Sequence, residues 1–120
     1  MHYSTRALDL ARNPKNLGRI EAADAQAIVT GPCGDTMEVY LRLNGRTIQE
    51  ATFATDGCES SLACGNMLMA MVQGTTLEDA GKIQPEDIIK ALDGLPEDSA
   101  HCAELAVNTL RKAIAYLDHP

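Results

Sequence analysis

Four cysteines stand at positions 33, 58, 64 and 102, and no two of them form a CxxC pair. Their surroundings differ. Cys33 sits in Gly-Pro-Cys-Gly-Asp, where the flanking glycines let backbone approach a bound atom closely and Asp35 adds a carboxylate. Cys58 precedes Glu-Ser-Ser-Leu-Ala, which reads as the start of a helix, and Cys102 follows His101 in the first turn of another. A helix start favours the thiolate through its dipole and free N–H groups, so both thiols are expected to ionise easily. Thiolate is the form that binds metal and attacks sulfur. Three soft sulfurs with one imidazole or carboxylate would suit Zn²⁺ or iron–sulfur chemistry. The spacing is wide, however, and does not by itself define a metal site. Taken singly, Cys33 could equally pack a turn, His101 could be a surface histidine, and Asp35 and Asp56 could be turn formers. Cys64 shares an i, i+4 stripe with Leu68 and reads as a small core residue. His2 and His119 lie at the termini, and the five methionines suit gap-filling in a core with few aromatics.

The elements that must position these residues are legible in outline. Residues from about Ser4 to Arg12 read as a first helix, capped by Ser4 or Thr5 and stopped by Pro14. Asn-Pro-Lys-Asn-Leu-Gly is turn chemistry, and Ala-Gln-Ala-Ile-Val-Thr reads as a first strand ended by Gly31 and Pro32. Met37, Val39, Leu41 and Leu43 alternate with Glu38, Tyr40 and Arg42, the period of a half-buried strand. Asn44-Gly45 is a preferred two-residue hairpin turn. It would pair Leu43 with Arg46, return a strand over about Thr47 to Thr55, and carry Cys33 and Asp35 back beside Asp56 and Cys58. The next helix would be capped by Ser60 or Ser61, with Gly74 at its C′ position. A short helix with a Thr75–Glu78 capping box follows, then one with Pro85 at N1 closed by Gly94. The longest helix is capped by Asp98 or Ser99 and carries Leu105, Val107, Leu110, Ile114 and Leu117 as its apolar stripe.

Composition bounds what such a chain does. Its 120 residues suit one domain spanning 1–120, and an apolar content of 45% argues for a packed core. With a net charge of −7 and no basic run, it is suited neither to nucleic acid nor to an anionic membrane surface. The N-terminal stretch, interrupted by Arg6, Arg12 and Lys15, has no apolar core of a signal peptide, and no stretch reaches membrane-spanning length. A cytoplasmic location is expected, where cysteines serve metal binding or catalysis more often than disulfides.

The motifs, in their order, resemble the iron–sulfur cluster assembly scaffold family, of the IscU and NifU N-terminal type. Asn13 to Gly18 is similar to the family's early Asn-Pro-x-Asn-x-Gly element. Cys-Gly-Asp-Thr-Met from Cys33 and Ala-Thr-Phe-Ala-Thr-Asp-Gly-Cys-Glu-Ser-Ser-Leu-Ala around Cys58 match its first two cysteine motifs. Gly-Thr-Thr-Leu-Glu-Asp-Ala recurs between the second and third sites, and His-Cys-Ala-Glu-Leu-Ala-Val-Asn-Thr-Leu-Arg-Lys-Ala-Ile matches the third. The resemblance covers almost the whole chain. It implies an α+β fold: a three-stranded antiparallel sheet built on the hairpin, packed with helices, the last of them long. Cys33, Cys58 and Cys102 would converge at one exposed end beside Asp35 and His101.

The function so implied is non-enzymatic. The chain would receive sulfur from a cysteine desulfurase as a persulfide, combine it with iron, and pass a [2Fe-2S] cluster to acceptor apoproteins. Asp35 would be a displaceable oxygen ligand, and His101 a fourth ligand or a neighbouring base. Zn²⁺ binds several family members at the same residues, and a second copy of the chain is a candidate partner. The alternative is a zinc-dependent sulfurtransferase; relatives of that kind carry an insertion before the third site, and none is evident between Gly74 and His101. The resemblance stops short at one segment. Where the family's common type has Leu-Pro-Pro-Val-Lys, recognised by an Hsp70-type chaperone, this chain has Leu-Pro-Glu-Asp-Ser. Chaperone-assisted transfer is therefore not implied. The extra cluster domains of full-length NifU are not expected, and Cys64 stands where the family usually has a small residue.

Overall fold

A computed structural model describes residues 4–12, 14–32 and 34–118, with the side chains of 98 and 118 excepted. The order of elements is α1 (Thr5–Arg12), β1 (Ala25–Thr30), β2 (Thr36–Asn44), β3 (Thr47–Thr55), α2 (Glu59–Val72), α3 (Leu77–Ala80), α4 (Pro85–Ala91), a 3₁₀ turn (Glu97–Ser99) and α5 (Ala100–Asp118). The three strands form one antiparallel sheet in the order β1-β2-β3. This is the expected α+β architecture with a long last helix. No described helix is long and apolar enough to cross a membrane.

Alternation along β2 and β3 decides which sheet face is covered. Met37, Val39, Leu41, Ala51 and Phe53 are fully buried on one face, while Glu38, Glu50 and Arg42 alternate with them. Helix α5 packs on β1 and β2, and α2 packs on β3, α1 and α5. The Asn-Pro-Lys-Asn-Leu-Gly segment does more than turn. Phe53 N–H donates to the Asn16 carbonyl (3.0 Å) and Gly18 N–H to the Phe53 carbonyl (2.8 Å), so residues 16–18 cover the outer edge of β3. The buried Asn66 accepts from Asn16 N–H at 2.8 Å and ties this segment to α2.

Local chemistry differs from expectation at three places. The hairpin turn is Gly45-Arg46, not Asn44-Gly45: Asn44 pairs with Thr47 and Leu43 with Ile48. Gly45 has φ +65° and Arg46 is not among the residues of positive φ, a pattern that needs glycine at the first central position only. The ladder shifts between Arg42 and Leu43, and this irregularity restores the pairing that buries Val39 against Phe53. Helix α2 is capped by Cys58 itself, ahead of the expected Ser60 or Ser61, which leaves both serines buried inside the helix. In α3 the cap is Thr76, whose hydroxyl accepts from Asp79 N–H at 3.2 Å; Thr75 instead donates to the Val72 carbonyl at 2.8 Å. Three other expected marks are present. Ser4 caps α1 through Ala7 N–H (3.0 Å), Gly74 turns at φ +86°, and Pro85 opens α4 with a Gln84–Asp87 capping box.

Candidate metal centre

Four elements begin or end at the same corner of the molecule. Asp35 lies one residue before β2, in a tight turn where Gly31 N–H donates to the Asp35 carbonyl at 2.8 Å and Gly34 adopts φ +92°. On the partner strand, β3 runs out at Thr55. Asp56 then folds back, its carboxylate accepting from Thr36 N–H at 2.8 Å, and this contact pins the open end of the hairpin. Gly57 leads into Cys58, the cap of α2, and Cys102 reaches the same place from the first turn of α5. The Asp35 carboxylate and the Cys58 and Cys102 sulfurs all lie within 4.8 Å of one another. The hairpin thus brings Asp35 to Cys58 as its pattern predicts, despite the shifted register.

The three donors differ in access. Cys58 is exposed, Asp35 half-buried and Cys102 buried. Two sulfurs bound to one tetrahedral ion at about 2.3 Å would stand roughly 3.8 Å apart, so this group needs a shift of at most about an ångström to close on an ion. His101 stands at its margin, Nε2 lying 3.6 Å from Cys102 Sγ, without joining the three. Cys33 lies outside the described residues, and with it the expected Cys33–Cys58 approach.

The two thiols are biased in opposite directions. At Cys58, partial burial would raise the pKa, but the backbone N–H groups of Ser61 and Ser60 and the side chains of Cys102 and Ser61 outweigh it; the thiol is held below its ordinary range. These two N–H groups are among the free donors of a helix start. Cys102 does not follow the same expectation. Burial pushes it up to about 11, and the nearby Cys58 and Asp35 charges add to this despite a hydrogen bond from Ser61. A position in a first helical turn lowers a thiol's pKa only if solvent or partners can support the charge, and Cys102 is fully buried. Cys64 is also fully buried within the hydrophobic core, and burial holds its thiol well above the usual range. It is the core residue its stripe predicts.

One residue of this corner is invisible to a search for ligands. Ser61, fully buried, has Oγ 3.3 Å from Asp35 Oδ2 and 3.5 Å from Cys102 Sγ. A serine three positions after a cysteine reads as a cap, and only the burial of that helix turn redirects it. The pattern that could have exposed it is Gly57, one residue before Cys58. A Cβ there would meet Ser61 Oγ at 2.4 Å and Asp35 Oδ2 at 2.9 Å.

The sequence and the fold have known counterparts. Residues 2–119 match the family described as NifU-like N terminal domain. The chain is 40% identical over 113 residues to iron-sulfur cluster assembly scaffold protein IscU 1 of Archaeoglobus fulgidus, covering 93% of this chain and 74% of that protein. It is 34% identical over 120 residues to the IscU scaffold protein of Haemophilus influenzae, covering 96% and 94% of the two. Among solved structures, its fold resembles a putative scaffold protein for the SUF system from Fervidobacterium islandicum, with a TM-score of 0.76, 22% identity, and coverage of 93% and 96%. Motifs, fold and relatives agree: the chain belongs to the NifU-like N-terminal domain family of iron–sulfur cluster assembly scaffolds.

Proposed function

We propose that this chain is a single-domain, cytoplasmic scaffold on which a labile [2Fe-2S] cluster is assembled from iron and desulfurase-derived sulfur, then passed to acceptor apoproteins. The observation that carries the reading is the convergence of Asp35, Cys58 and Cys102 from three separate elements onto one partly open corner. Two thiolates and a carboxylate are a mixed donor set. A structural zinc site is closed and commonly sulfur-rich, whereas a mixed and partly exposed set suits a cargo that must leave. Cys33 and His101 complete the proposed ligand group, Cys33 standing two positions before Asp35 in the sequence and His101 beside Cys102. Zn²⁺ competes for the same donors.

In this reading Cys58 receives the sulfur, because it is both exposed and biased toward thiolate. Its thiolate attacks the outer sulfur of a persulfide on the cysteine desulfurase. The S–S bond of that persulfide breaks, the desulfurase cysteine leaves as thiolate, and Cys58 holds the new persulfide. An external dithiol or electron-transfer reductant then supplies two electrons, releasing sulfide to the iron and restoring the Cys58 thiolate. Cys102, protonated at neutral pH while metal-free, becomes a ligand by giving its proton up to solvent as the cation binds.

The test is anaerobic reconstitution with ferrous iron, cysteine, a desulfurase and a dithiol reductant, read by visible absorption and Mössbauer spectra. The wild-type chain should develop a cluster chromophore that Cys58→Ala and Cys102→Ala lose. A chain that takes up zinc but never forms a chromophore under these conditions refutes the scaffold reading.

A further inference from the structure

We propose that Ser61 is a positioning residue that holds the Asp35 carboxylate against the cysteine pair and so sets how well Asp35 serves as a metal ligand. The inference rests on the metal-binding reading of the corner and adds to it a residue that is not itself a ligand. Its basis is geometric. Ser61 Oγ reaches Asp35 Oδ2 at 3.3 Å and Cys102 Sγ at 3.5 Å, so one hydroxyl links donors from two other elements. The hydroxyl carries one proton and cannot donate to both at once. While it donates to Asp35, the carboxylate is kept facing the sulfurs. Once a metal takes that oxygen, the hydroxyl can turn to the Cys102 sulfur.

Two further features indicate that this contact is built in. Ser61 is fully buried, so its hydroxyl has no solvent to turn to, and a buried hydroxyl without a partner is costly. The backbone of Gly57 closes over the contact so tightly that a Cβ would stand 2.8 Å from Ser61 Cβ as well as against both polar atoms. Among the described residues, Asp35 is otherwise held through its backbone, by the turn at Gly31. The Ser61 hydroxyl is thus the side-chain contact that orients its carboxylate.

The probe is Co²⁺ added to the full chain, with affinity read from the sulfur-to-cobalt charge-transfer band and geometry from the visible d–d bands. Ser61→Ala removes only the hydroxyl and installs a strong helix former, and far-UV circular dichroism checks that the fold is kept. Loss of an outer-shell partner costs roughly 10–100-fold in metal affinity, and the long 3.3 Å contact argues for the lower end, about tenfold. The charge-transfer intensity should be unchanged, because the thiolates remain, while the d–d bands shift. In an Asp35→Ala background, Ser61→Ala should add less than about threefold, since the residue it orients is gone. An equal loss in both backgrounds, or none in either, overturns the proposal. If the wild type binds no Co²⁺, it is the metal reading that fails. Ser61 is then judged in the metal-free protein: Ser61→Ala should move the Asp35 side-chain ¹³C carboxyl resonance, and an unmoved resonance refutes the positioning role.

Discussion

Gly65→Ala should destabilise this protein, although Gly→Ala inside a helix ordinarily does the opposite. Gly65 lies in the middle of α2 and is buried. In an open helix, alanine would gain about 1 kcal/mol over glycine through propensity and a less flexible unfolded chain. Here a Cβ would stand 2.5 Å, 2.6 Å and 3.0 Å from three atoms of the Phe53 ring, which is itself fully buried. A rigid ring cannot swing aside as a flexible side chain can, so helix and strand must separate. Overpacking of this kind costs about 1–3 kcal/mol, and three such contacts argue for the upper part of that range. The net loss is about 1–2 kcal/mol, a fall in Tm of roughly 3–10 °C for a chain of this size. The assay is urea and thermal unfolding followed by circular dichroism, with Gly81→Ala as control. Gly81 has φ −67°, and a Cβ there meets nothing closer than 3.4 Å. The control should be neutral or slightly stabilising. A Gly65→Ala protein more stable than wild type would refute the claim that α2 is seated on β3 through this close approach.

Cys64→Ala should cost about 1 kcal/mol for a lost core sulfur and leave metal stoichiometry intact; loss of metal by this variant but not by Cys58→Ala would reverse their assignments. Asp35→Ala should assemble a cluster that persists longer in air but transfers more slowly to an apo-ferredoxin, because a hard, exchangeable oxygen has been removed from a soft site; failure to assemble, or faster transfer, would contradict this. Glu38 is held at about 2 by hydrogen bonds from Arg19 and then Tyr40. A depressed carboxyl contributes stability above its unfolded value near 4.5 and loses it as pH falls toward 2. With Arg19 side-chain exposure at 68%, the discounted contribution from Glu38 is about 1 kcal/mol. Glu38→Gln should therefore be less stable than wild type at pH 7, with the gap shrinking between pH 4.5 and pH 2 in urea titrations; a gap independent of pH would show that the charge contributes nothing.

How much of this was legible depended on the range of the interaction. The strands and helices followed from period and punctuation, because alternation in β2 and Pro85 or Gly74 at helix ends act within a few residues. The turn at Gly45-Arg46 was misplaced because Asn44-Gly45 is locally the better hairpin turn, while the pairing of Val39 with Phe53 is a property of the whole sheet. The same distinction runs through the site. Asp35 and Cys58 were brought together by a hairpin argument that tolerates a shifted register. The thiol of Cys102 went the other way from expectation because its burial is set by α5 packing on β1, β2 and α2, which no local pattern states. Ser61 was passed over for a related reason: its partners, Asp35 and Cys102, are remote in sequence and meet it only after the helices dock.

The positions of the donors also explain how the fold can hold a cargo without depending on it. Each donor is attached to the end of an element whose interior lies in the core: Asp35 just before β2 with Met37, Cys58 at the head of α2 with Leu68 and Met69, and Cys102 in α5 beside Ala103 and Ala106, all of these neighbours fully buried. Small metal-dependent folds take their folding energy from the metal because their cores are too small to stand alone. Here the core runs through the sheet and all five α-helices, from Ala7 to Ala113, and Cys102 is itself part of it. The donors are held near one another by packing that precedes metal binding, yet the sulfurs and carboxylate still have to close on an ion. A site pre-positioned but not fully closed binds with less than the affinity its ligands could provide. For a scaffold that must surrender its cluster, this separation of folding energy from binding energy allows the cargo to leave while the protein remains folded.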